Sequence, residues 1–137
     1  MNTILYTHGS FSKPKGKSVI SYSINNKVHP SGFIQQKVFI CASPYEAQLQ
    51  AIVYGLADID NYDDDGNNVI VYTIAESIAK VWRSIQEGSI KTFAHQYYFD
   101  KIIDYEKLGN KVQIEYGADF HVLKLQNINQ RHIKELV

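Results

Sequence analysis

Cysteine is nearly missing from this chain: Cys41 is the only one among 137 residues. A lone cysteine excludes an internal disulfide and points to a reducing compartment. Cys41 sits in the apolar run Val38-Phe39-Ile40-Cys41-Ala42, where a buried, inert thiol is expected. A net charge of either sign is missing too, since basic and acidic residues number 14 each. Binding to nucleic acid or a membrane surface would therefore need a local patch. No apolar run approaches the ~20 residues of a membrane span, and the N-terminal residues lack a signal peptide's basic-then-apolar order. These absences predict a cytoplasmic or nuclear protein that is not secreted and has no membrane partner.

What remains is the composition of an ordinary folded globule, 45% apolar and 20% charged. The length predicts a single domain over residues 1–137 with a normal core. No internal repeat, linker or low-complexity segment interrupts it.

The order of elements follows from periodicity and punctuation. "NTILYT" reads as a short strand, followed by a Gly-containing turn with three lysines, and "KSVISYSI" alternates as a half-buried strand does. "KVHPSG" supplies a turn and "QKVFICAS" a third strand, completing an antiparallel meander. At "SPYEAQLQAIVYGLADI" the period becomes helical. Ser43 is placed to cap, Pro44 suits the first helical position, and Glu46 completes a capping box. Ala47, Leu49, Ala51, Ile52, Leu56 and Ile59 supply the apolar stripe. "NVIVYT" is β-branched and unalternated, which predicts a central strand covered on both faces. Two helices follow, "AESIAKVWRSIQEG" and "FAHQYYFDKIIDYEKLG", each closed by glycine. "KVQIEYG" is a fifth strand and "NINQRHIKELV" a short final helix.

Three local motifs fall on particular elements of this order. "YTHGS" ends the first strand, "SPYEAQLQAIVYGL" opens the first long helix, and "VIVYTIAESIAKVW" ends the fourth strand. Together they resemble the ribonuclease H type 1 family. The correspondence covers nearly the whole chain, weakening after about residue 117. The resemblance implies an α/β, RNase H-like fold: a five-stranded mixed sheet with helices on both faces. It also implies an active site at the carboxyl ends of the first and fourth strands and the start of the first long helix, with a fourth group from the last helix. In the family each position is a carboxylate, and together they hold two Mg²⁺ ions that cleave the RNA strand of an RNA/DNA hybrid.

This chain departs from that pattern. The matching positions are His8, Gln48 and Ile74, with the last at Ile133 or Lys134. An imidazole suits Zn²⁺ better than Mg²⁺, an amide oxygen is a weak ligand alone, and an isoleucine is none. The expectation is a catalytically degenerate domain with no catalytic residue, no metal and no cofactor, Mg²⁺ or Mn²⁺ entering only if the protein is active. A rebuilt site would draw on Glu76, Asp119 and His121, with His8. Glu46, two residues before Gln48 and so ~200° round a helix, points away and serves as a capping acid.

Gly9, Ser10, Lys13, Lys15 and Lys17 are the nucleic-acid-binding candidates, since the family's groove lies beside this loop and lysines neutralise phosphates. A solvated hairpin loop is the competing reading. Lys80 and Arg83 could extend the basic surface, while Trp82 is expected in the core. Asn61, Asp63, Asp65 and Gly66 match the front of a calcium-binding EF-hand loop, but its twelfth position is Tyr72, so an acidic loop is expected. Phe93, Tyr97, Tyr98 and Tyr105 share one predicted helix and suit a core or a protein interface better than base stacking. His29, His95 and His132 have no metal spacing and receive no role.

The functional expectation is a non-catalytic module binding an RNA/DNA hybrid or a double-stranded nucleic acid. One alternative is a protein-interaction or subunit module on the same scaffold. The other is a metal-dependent ribonuclease H with a rebuilt site.

Overall fold

A computed structural model describes residues 2–59, 66–89, 94–117 and 119–136. Strands β1 (Asn2–Ser12), β2 (Lys17–Asn25), β3 (Phe33–Ile40), β4 (Asn68–Thr73) and β5 (Lys111–Tyr116) form one sheet in the order β3-β2-β1-β4-β5. The first three pair antiparallel, whereas β1–β4 and β4–β5 are parallel. The helices are α1 (Pro44–Ala57), α2 (Glu76–Gln86), α3 (Gln96–Lys107) and α4 (Phe120–Glu135). No helix among the described residues is long and apolar enough to cross a membrane.

Alternation along β1 assigns the two faces. Leu5 packs against Gly55 of α1, and Gly9 lies against Ala47. Tyr6 and His8 point the other way, to α4: Tyr6 stacks on His121, and Asn129 bonds the backbone at His8. The core on the α1 side joins Leu5, Ile20, Tyr22, Leu49 and Ile52. All six residues of the predicted α1 stripe are buried. Its cap forms as expected, with the Ser43 side chain accepting from the Glu46 N–H at 3.1 Å. Glu46 reaches back to the Ala42 N–H at 2.8 Å, one residue further than a capping box requires. Trp82 is buried, and its Nε1–H donates to the Val112 carbonyl at 3.1 Å, tying α2 to β5. Cys41 is buried with its thiol donating to the Ser43 carbonyl, and burial pushes the thiol pKa up, which keeps it inert.

Four expectations need correcting. The first strand does not stop at Thr7, because His8, Gly9 and Ser10 continue the ladder opposite Ser21, Ile20 and Val19. The third strand runs Phe33–Ile40, several residues earlier than read. The last helix starts at Phe120, not Asn127. Asp119 caps it, and its inward row is Val122, Leu125 and Asn129, so a buried asparagine interrupts the apolar period. β4 is covered fully on one face only: Val69, Val71 and Thr73 are buried, while Ile70 and Tyr72 are half-buried. Asn61, Asp63, Asp65 and Phe93 lie outside the described residues.

Candidate functional site

The site the sequence points to lies where β1, β4 and the start of α1 meet. Parallel pairing sets Tyr6 beside Tyr72, so two residues further on His8 is carried level with Ile74, just past the end of β4. α1 comes close because Gly9 lacks a side chain. A Cβ there would sit 2.0 Å from the Ala47 carbonyl oxygen. The approach lets Gln48 Oε1 accept the Gly9 N–H at 3.0 Å. His8, Gln48 and Ile74 thus gather at one end of the sheet, although His8 faces α4 and Gln48 arrives from the α1 side.

His8 is 3% exposed, and its Nδ1 finds no hydrogen-bond partner among the described residues. Burial alone lowers its pKa to about 4, so the ring is neutral at neutral pH. Asn129, fully buried on α4, donates from Nδ2 to the His8 carbonyl at 3.0 Å and accepts at Oδ1 from Gln36 Nε2 at 3.1 Å. Gln36 Oε1 in turn meets His132 Nδ1 at 2.7 Å. This amide bridge across the sheet was missed in the sequence. The available signal was a polar residue at helical spacing from Val122 and Leu125. Asn129→Leu is expected to cost about 2 kcal/mol in urea unfolding, because it strands the His8 carbonyl and the Gln36 amide without partners.

The donors here do not fit a two-magnesium centre. Mg²⁺ asks for several oxygen ligands in a near-octahedral shell. His8 offers a buried nitrogen, the Gln48 oxygen already accepts a backbone N–H, and Ile74 offers a hydrocarbon. Ile133 and Lys134 lie on the last turn of α4, beside His132, which reaches β3, and near Leu136, whose carbonyl accepts from Lys15 Nζ. The rebuilt-site residues are dispersed into structural tasks. Glu76 pairs with Lys80 at 3.5 Å on the exposed first turn of α2. The Asp119 carboxylate accepts the His121 and Val122 N–H groups as a helix cap, and His121 stacks on Tyr6 at 4.4 Å. Among the described residues no three His, Cys, Asp or Glu side chains form a group that could hold a metal ion.

Beyond Ser10 the chain makes a tight turn. Lys13–Lys15 form one 3-10 turn, Gly16 follows in the left-handed region at φ 59°, and Lys17 opens β2. All three lysines are exposed. Neither Lys13 nor Lys17 is ion-paired with a described residue, whereas Lys37 is engaged by Asp58 at 3.6 Å. Gly9 is buried and acts through packing, and Ser10 is half-buried.

A ring cluster not foreseen in the sequence lies on the α4 face. Tyr6 stacks on Tyr72 at 5.6 Å as well as on His121, and Phe120 meets His121 edge-on at 5.7 Å. On the opposite side, the expected aromatic helix is split: Tyr97 is exposed, while Tyr98 and Tyr105 pack against the core. Between α1, α3 and the end of β3 run two adjoining hollows of about 670 and 330 Å³, which share Val53, Ala57 and Lys101.

Such a sheet, with antiparallel β1–β3, parallel β4 and β5, and α1 and α4 on opposite faces, defines the ribonuclease H-like fold. Solved ribonuclease H structures superpose on it along nearly its whole length. LC11-RNase H1 in complex with an RNA/DNA hybrid is 17% identical, with 97% of each chain covered and a TM-score of 0.72. The N-terminal RNase H domain of rv2228c from Mycobacterium tuberculosis, studied as a fusion with maltose-binding protein, is 9% identical. It covers 98% of this chain and 94% of that one, with a TM-score of 0.73. RNase H1 from the halophilic archaeon Halobacterium salinarum is 9% identical, covering 99% and 100% with a TM-score of 0.66. No protein-family model and no curated protein matches this chain.

Proposed function

We propose that this chain is a non-catalytic RNase H-like domain that binds an RNA/DNA hybrid or another A-like duplex. The observation that carries the reading is the turn of three exposed lysines directly beyond His8, Gly9 and Ser10. An exposed basic turn can track a phosphate backbone, and an A-like duplex can be recognised by shape without reading its bases. The non-catalytic part is supported by donor chemistry, since imidazole, amide and alkyl groups stand where the fold family uses carboxylates. One of the similar structures holds an RNA/DNA hybrid, which makes that duplex the first ligand to try.

The test uses a labelled RNA/DNA hybrid with Mg²⁺ or Mn²⁺, scored for binding and cleavage across a salt series. Replacing Lys13, Lys15 and Lys17 with alanine is expected to weaken binding about thirtyfold near 0.1 M salt and to flatten the salt dependence by roughly three counterions. Cleavage that persists through purification and falls with Glu76→Gln would overturn the non-catalytic reading and restore metal-dependent hydrolysis. Absence of binding would overturn the nucleic-acid reading. A protein-partner module is the second reading, favoured by the smaller, apolar hollow between α1 and α3 and by exposed Tyr97 and Leu108.

A further inference from the structure

We infer that the outer edge of β3 is a self-complementary surface through which two copies of this chain join their sheets, antiparallel, into one. β3 ends the sheet and pairs only with β2. No described segment pairs along its outer edge. Alternate residues of β3 therefore turn unpaired backbone groups to that side, the Ile40 carbonyl being already bonded, by Gln50 Nε2 at 3.1 Å.

Edge strands are normally guarded by charge, proline or a bulge. The opposite edge follows that rule, because Lys111, Gln113 and Glu115 alternate along β5. β3 does not. Its single charge, Lys37, is drawn back toward α1 by Asp58 and lies over the rings of Tyr22 and Tyr54 at 5.9 and 5.7 Å. In place of guards stand Phe33 at 40% exposure, Ile34 at 40%, Val38 at 37% and Ile40 at 86%.

The pattern of the strand selects a second copy as the occupant. A two-fold axis perpendicular to the sheet must pass where one residue faces its own mate. If that residue were Lys37, like charges would lie opposite each other. At Gln36 the pattern fits itself under reversal. Ile34 then faces Val38 of the other copy on the α4 side, Phe33 faces Phe39 on the α1 side, and Gln35 faces Lys37. Ile34, Val38, Phe33 and Phe39 each meet an apolar side chain, the lysine meets a neutral amide, and Ile40 overhangs opposite Gly32. A single strand edge gives an interface at the small end of the specific range, so association in the micromolar range is expected.

Sedimentation velocity on the full chain from about 5 to about 500 µM tests this. Wild type should pass from monomer to dimer. Val38→Lys and Ile34→Glu should each hold it monomeric, because each places an unpaired charge opposite an apolar side chain. The double substitution Ile34→Glu/Val38→Lys should restore the dimer, since each carboxylate then faces the other copy's ammonium. Both positions are solvent-exposed, and unchanged thermal midpoints at low concentration confirm that the variants fold. Amide exchange across residues 33–40 should also slow as concentration rises. A monomer throughout, a dimer indifferent to Val38→Lys, or a double variant that fails to associate would each overturn the inference.

Discussion

Gly9→Ala is expected to destabilise the protein severely, at a cost of about 4 kcal/mol or more. Its added methyl would have to lie 2.0 Å from the Ala47 carbonyl oxygen and 2.7 Å from the Gln48 nitrogen. Both are backbone atoms of α1, so no side chain can swing aside to make room. Ordinary overpacking costs 1–3 kcal/mol because neighbouring side chains give way. Here the strand and helix must separate, which also breaks the Gly9–Gln48 hydrogen bond and loosens the contact of Leu5 with Gly55. Natural domains hold only about 5–15 kcal/mol in total, so this one methyl removes a large fraction. Circular dichroism and urea titration of the variant check it. A midpoint near wild type would mean that α1 does not seat on Gly9.

The second large effect is a loss of stability in acid centred on His8. Burial lowers its pKa from 6.5 to about 4, so over that window the unfolded chain binds a proton that the folded chain refuses. Stability therefore rises with pH through the window, is fully present above about 6.5, and is lost as pH falls toward 4. A shift of that size corresponds to about 3 kcal/mol. Urea midpoints measured from acid to neutral pH should climb steeply for wild type and less steeply for His8→Leu. Leucine suits the site because the Nδ1 has no described partner to lose, and the Asn129 contact is to the backbone of residue 8. His132, which meets Gln36 on the same face, is common to both proteins and cancels from the comparison. Parallel slopes would assign the acid sensitivity elsewhere.

Both effects share one structural origin. The end of the sheet where β1 meets the start of α1 is packed as an extension of the interior. Gln48 completes the strand–helix contact and His8 sits under α4. Asn129 and Gln36 carry the hydrogen bonding across to β3. The exposed chemistry lies one turn further along, on the lysines.

Much of this was legible in the sequence, for reasons specific to each element. The α1 stripe, its cap at Ser43 and the order of elements along the chain carry local signals of period and punctuation, and these the structure matches. The three motifs fall at the ends of β1 and β4 and the start of α1, where His8, Ile74 and Gln48 stand. The start of α4 was not legible, because Asn129 occupies an inward position and breaks the apolar rhythm. Nor was the continuation of β1, since His-Gly-Ser reads as a turn until Ser21, Ile20 and Val19 are placed opposite it. Tyr6, Tyr72 and His121 come together only through parallel pairing across 66 residues and the return of α4.

The sequence by itself determined which residue types stand at the strand ends, and so which metal chemistry their donors can support. Ligand chemistry is a property of side-chain atoms and needs no coordinates. Only the tertiary structure decided that His8 is dry and neutral, that Gly9 is the contact on which α1 seats, and that β3 presents an unguarded edge. Burial, close approach and pairing depend on residues distant in the chain, and no local pattern in the sequence records which of them will meet.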